Sequence, residues 1–119
     1  MIHLTVVERI PPPELLGNPV AYVPVDSDYV RHRWLPLVGP TAYLVLTSAA
    51  GCPPSERYMD TEAWAQSFGV RPAALANACK RLHRYRLAIN ADDHLTLPLH
   101  VRTVQSREQR GTRREAVTA

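Results

Sequence analysis

Long apolar runs are missing from this sequence. The nearest candidate, Ala42 to Ala50, is interrupted by Thr47 and Ser48 and falls short of the roughly 18–20 residues that a membrane-spanning helix needs. Met1-Ile2-His3-Leu4 has neither the basic start nor the apolar stretch of a secretory signal, so a cytoplasmic protein without a membrane partner is expected. Cysteine is scarce too. Cys52, in a Gly-Cys-Pro-Pro turn, and Cys79, in a helical pattern, are the only two, and a pair cannot build the disulfide framework of small secreted domains. Both are expected as reduced thiols. Lysine occurs once, at Lys80, against 13 arginines, and the 5 glycines form no loop able to cradle a phosphate.

What is present suits one folded unit. A domain usually takes about 100–200 residues, so 119 residues allow one domain with flanking arms. Hydrophobic residues at 45% and charged residues at 21% are ordinary globular usage. The net charge of +3 conceals an asymmetry. Residues 1–70 hold 4 basic and 7 acidic side chains, whereas residues 71–119 hold 10 basic and 4 acidic. A cationic C-terminal half of this kind points to a nucleic-acid-facing end.

Along the chain, the β-branched segment Leu4 to Ile10 reads as a strand or arm stopped by Pro11-Pro12-Pro13, since consecutive prolines remove donors and hold the backbone extended. Val20 to Val25 is a second strand candidate, confined to an edge or a strand end by Pro24. Asp26-Ser27-Asp28 offers N-cap chemistry for a short helix burying Val30 and Trp34, limited or kinked by Pro36. Gly39-Pro40 opens an apolar core helix to Ala50. Ser55 to Met59 reads as a polar linker or short strand. Asp60 then caps a helix expected to bury Ala63, Trp64 and Phe68, and Gly69 is placed to end it in the left-handed region.

Only two residues separate Gly69 from Pro72, which begins another helix, the spacing of a helix-turn-helix. Projected at about 100° per residue, Leu75, Ala78, Cys79 and Leu82 fall on one side and Ala73, Asn77, Lys80, Arg81 and Arg84 on the other. Asn, Lys and Arg on a solvent face supply both base-edge donors and phosphate charges. Leu87 to Asn90, the turn Ala91-Asp92-Asp93 and His94 to Leu97 alternate in period two, the pattern of a β-hairpin. Ser106 to Ala119 carries Arg107, Arg110, Arg113 and Arg114 without an apolar stripe and is expected to be a mobile basic tail.

The stretch Leu75-Ala-Asn-Ala-Cys-Lys-Arg-Leu82-His-Arg-Tyr-Arg-Leu87-Ala resembles the recognition helix and first wing strand of bacterial winged-helix regulators, with Arg86 where such proteins usually have Gly. A left-handed position there costs an Arg more than a Gly. Trp34-Leu-Pro-Leu-Val-Gly-Pro-Thr-Ala-Tyr-Leu-Val-Leu46 resembles the opening of winged-helix domains in DnaB/DnaD-type replication initiation proteins. Together the resemblances cover residues 26–100.

Catalytic and metal chemistry find little footing. His83 follows Cys79 by one helical turn, a spacing that puts two ligands on one face, but Cys79 lies on the apolar side and no Cys-x-x-Cys or His-x-x-x-His pair accompanies it. No strained Ser elbow or Cys beside a His suggests a nucleophile, and Asp92-Asp93 suits turn geometry alone. No enzyme activity, cofactor or metal is expected. Trp34, Trp64 and Tyr85 read as packing residues.

The fold expected is α+β, mainly α with a small β-sheet: an N-terminal strand or arm over 1–25, a winged helix-turn-helix domain over 26–104 and a basic tail over 105–119. The function implied is sequence-specific binding of double-stranded DNA by a nucleoid-associated regulator, repressor-like and dimeric. Its helix from Pro72 to Arg86 would enter the major groove and the hairpin Leu87 to Leu97 would serve as the wing. Asn77 and Arg81 would lie near base edges, with Ala73 beside them, Lys80 and Arg84 near phosphates, and Arg71 at the helix start on a phosphate. His94 would reach a minor groove, Arg102 a phosphate, and Arg107 and Arg110 would add nonspecific affinity. Two alternatives stand beside it: a replication or plasmid-maintenance factor that also recruits a protein partner, and a winged-helix scaffold binding an acidic protein.

Overall fold

In the computed structural model, which describes residues 1–12 and 20–105, the N-terminal β-branched segment forms a strand, β1 (Ile2–Arg9). It is no free arm. Its alternation points Leu4 and Val6 into the core, which fixes its register, and both of its edges are paired. On one side it pairs antiparallel with β3 (Ser55–Met59), from Ile2↔Met59 to Val6↔Ser55. On the other it runs parallel to β5 (His94–Arg102), from His3↔His94 to Arg9↔His100.

The far edge of β5 is shared by two short strands. β4 (Ile89–Ala91) closes a hairpin on its first half, and β2 (Tyr22–Pro24) pairs with its end through Tyr22↔Arg102 and Pro24↔His100. The result is a mixed five-stranded sheet: the sequence leaves open whether the N-terminal strands extend the hairpin's sheet or pair with a second subunit, and here they extend it. Both sequence-level strand candidates before Asp26 are therefore built into the same body as the helices, and Pro24 takes its expected place at a strand end.

In chain order the first helices lie between β2 and β3 and the last two between β3 and β4. A π-helical turn over Val30–Trp34 leads directly into α1 (Leu35–Val38). Pro36 explains the widened turn: it has no N–H for the His32 carbonyl, and its ring would clash there. The Leu35 N–H instead reaches back five residues to the Val30 oxygen, as a π-bulge does. The expected capping by Asp26-Ser27-Asp28 is not what starts this helix; the Asp28 carboxylate accepts from the Arg31 guanidinium at 2.9 Å.

Helix α2 (Pro40–Thr47) has Pro at its first turn and stops three residues before the Ala50 expected. Helix α3 (Thr61–Ser67) starts on Asp60, whose carboxylate accepts from the Ala63 N–H at 3.4 Å. It buries Trp64 and Ala65, whereas Ala63 is exposed, so the buried stripe is rotated from the one expected.

Helix α4 (Pro72–Arg84) buries Leu75, Ala78, Cys79 and Leu82 against the rest. These join Leu4, Val6, Trp34, Val45, Leu46, Leu95 and Leu97 in one continuous core. Both α3 and α4 end in the same hydrogen-bond motif. After α3, Gly69 N–H donates to Gln66 and Val70 N–H to Ala65; after α4, Arg86 N–H donates to His83 and Leu87 N–H to Leu82. The motif requires a left-handed residue, supplied by Gly69 at φ 73° and by Arg86 at φ 59°. Among the described residues no helix is long and apolar enough to cross a membrane.

Candidate nucleic-acid interface

Gly69 and Val70 reverse the chain so that α4 starts immediately at Pro72, with α3 packed beside it. Because four apolar residues seat one side of α4, its opposite side is left to solvent. Ala73, Asn77, Lys80 and Arg84, each three or four residues from the last, are all exposed and lie on one stripe, and Arg71 is exposed at the N-cap. Among the described residues no carboxylate oxygen lies within 4 Å of the charged nitrogens of Arg71, Lys80, Arg81 or Arg84.

Arg81 is exposed as expected, but its guanidinium has a structural task. It donates to the Val38 carbonyl oxygen at 3.1 Å, at the end of α1. Gly39 permits this approach, since a Cβ there would stand 3.1 Å from the same nitrogen and the residue sits at φ 88°. Arg81 thus ties α4 to the α1–α2 corner, beside a groove that Asn77 also lines.

Two site residues expected from the sequence lie elsewhere. Arg102 is buried, at 4% exposure. Its guanidinium lies 4.9 Å from the centre of the Trp34 ring and donates to the Tyr85 carbonyl at 2.8 Å, while Trp34 Nε1 donates to the Arg102 carbonyl at 2.7 Å. A residue so enclosed cannot contact a phosphate. The polar groups left at the end of α4 and the face of a buried indole attract it inward.

His94 is exposed, but alternation along β5 sends Leu95 and Leu97 toward the helices and the His94 ring to the opposite face. There it stacks on His3 with centroids 4.5 Å apart, and its Nε2 lies 2.7 Å from Thr5 Oγ1. His3 stacks in turn on Tyr58 at 4.6 Å. The structure does not bring the His94 ring to the α4 stripe. Arg107 and Arg110, with the rest of the basic tail, lie outside the described residues.

Packing residues fall where the sequence reading puts them. Trp34 and Trp64 are buried, and half-buried Tyr85 meets Trp34 edge-on at 5.8 Å. Cys79 and His83 do not form a ligand pair. Burial pushes the Cys79 thiol up to about 11, and His83 Nδ1 accepts the Asn90 N–H at 3.1 Å, which ties the end of α4 to β4. Among the described residues no three His, Cys, Asp or Glu side chains converge as a metal site would require.

The sequence reading missed the Arg81–Val38 clip. Its only local sign is Gly39 before Pro40, which reads equally as a helix start. No family model, curated protein or solved structure matches the chain.

Proposed function

We propose that this protein binds double-stranded DNA as a winged helix-turn-helix transcriptional regulator, with α3 and α4 as the helix-turn-helix, α4 as the reading helix in the major groove and β4–β5 as the wing. The observation that carries the reading is the exposed stripe Ala73, Asn77, Lys80 and Arg84 on a helix whose other side buries Leu75, Ala78, Cys79 and Leu82. A helix held rigidly by its buried face can present side chains to a groove without ordering them at the moment of binding.

Within the stripe, roles divide by chemistry. Asn77 has the paired donor and acceptor that match adenine, and Ala73 leaves room for a thymine methyl. Lys80, Arg84 and Arg71 supply charge to phosphates. Arg81 acts chiefly by fixing the angle at which α4 leaves the body, through its bond to Val38. The hairpin turn carries Asp92 and Asp93, so an approach of its tip to phosphate is opposed by like charge, and affinity rests on α4.

The test is selection of bound duplexes from a random pool, followed by fluorescence anisotropy on the selected site. A single enriched motif, lost on Asn77→Ala and Arg84→Ala, supports the reading. Equal binding by wild type and by both variants overturns the assigned face.

A further inference from the structure

A cleft of about 240 Å³ separates the N-terminal half of α4 from the β4–β5 hairpin. Buried Leu75, Cys79 and Leu95 line it together with Ile2, and exposed Lys80 on α4 and Asp92 and Asp93 on the hairpin turn line the same cleft. With a liquid water occupying about 30 Å³, the cleft suits a molecule of roughly eight to ten non-hydrogen atoms. A few convergent polar groups over an apolar floor are the features of a small-ligand site.

The charge pattern selects the ligand class. Among the described residues no ion pair joins Lys80 to Asp92 or Asp93, so an ammonium and two carboxylates are left to face one small space. A ligand complementary to both must itself carry a carboxylate and an ammonium, with an apolar group for the floor. We infer that the cleft binds a free α-amino acid with an apolar side chain, its carboxylate on Lys80, its ammonium between Asp92 and Asp93, and its side chain over Leu75 and Leu95.

The site connects the reading helix to the hairpin. Lys80 also belongs to the stripe proposed to face DNA, and in this respect the inference rests on that reading. Ligand and duplex then draw on the same ammonium, and the amino acid lowers duplex affinity, as linkage requires of two ligands sharing one group.

The direct test is a titration of the isotope-labelled full chain with L-leucine, followed by backbone amide shifts up to about 10 mM, the range of weak single-site binding. Saturable shifts confined to Asn90–Leu95, Thr61 and Leu75–Lys80 are expected. 4-Methylpentanoate, which lacks the ammonium, isoamylamine, which lacks the carboxylate, and glycine, which lacks the side chain, should each bind at least about tenfold more weakly. The paired exchange Asp92→Asn with Asp93→Asn, in a turn where Asn tolerates the φ of 49° at Asp92, should weaken leucine to the level of 4-methylpentanoate.

No saturable shift with leucine, or equal binding of 4-methylpentanoate or isoamylamine, overturns the site whatever the outcome with DNA. Leucine binding without any loss of anisotropy on the selected duplex overturns only the coupling. A chain that binds leucine and no duplex retains the ligand site and discards the DNA reading.

Discussion

Arg81 and Val38, 43 residues apart in sequence, are joined by a 3.1 Å hydrogen bond from the guanidinium to the carbonyl oxygen, and Gly39 next to Val38 leaves the space for it. Two substitutions should therefore act alike on folding while differing in chemistry. Arg81→Ala should destabilise the protein by about 1 kcal/mol, the worth of an exposed hydrogen bond from a charged group. Gly39→Ala should exceed that, because φ 88° with ψ 166° is a region essentially closed to side chains, at about 1–3 kcal/mol. Urea denaturation of both variants measures this, and unchanged midpoints would remove the clip from the account.

Among the described residues neither Lys80 nor Arg84 makes a side-chain hydrogen bond or ion pair. Replacing either with Ala should leave the denaturation midpoint within about 0.5 kcal/mol of wild type while reducing the slope of log affinity against log salt by about one. Anisotropy titrations at several salt concentrations distinguish this from a folding defect.

Arg86 occupies the left-handed position closing α4, where α3 has Gly69. Arg86→Gly should raise stability by about 0.5–1 kcal/mol, since the strain removed exceeds the added freedom of the unfolded chain. A higher thermal midpoint is the expected result, with duplex affinity altered little.

Arg102 stands under Trp34 and on the Tyr85 carbonyl. Arg102→Ala should destabilise by about 2–4 kcal/mol through a cavity and a stranded carbonyl, and Arg102→Lys should not restore it, because an ammonium does not reproduce the planar stacking of a guanidinium. Near-ultraviolet circular dichroism of Trp34 follows the loss.

Cys79 sets an alkaline limit. Its thiol ionises near 9.0 in the unfolded chain and near 11 when folded, because burial disfavours the thiolate. Above pH 9 the unfolded state releases a proton that the folded state keeps, so this contribution is whole below about 9 and is lost as pH rises toward 11. Stability measured across that window should fall in the wild type and run flatter in Cys79→Ala. The same burial leaves the thiol slow toward alkylating reagents at neutral pH.

Much of the proposed interface was legible from neighbours in the chain. The two faces of α4, the turn at Gly69, the left-handed demand on Arg86 and the hairpin at Asp92-Asp93 each follow from spacing of 2, 3 or 4 residues, or from the φ that a local motif requires. These signals are short-range, and the residues that produce them are adjacent, so the sequence alone determined them.

What only the tertiary structure decided are relationships across long stretches. β1 could have been an arm or a strand until His3 found His94 and Tyr58 on its two sides. Arg102 reads as a surface cation until Trp34 and the end of α4 enclose it. His94 reads as part of the wing face until the pleat of β5 turns its ring the other way. Strand partners and burial are set by register and packing between segments up to about ninety residues apart, and no local pattern in the chain encodes which side chain will close over which.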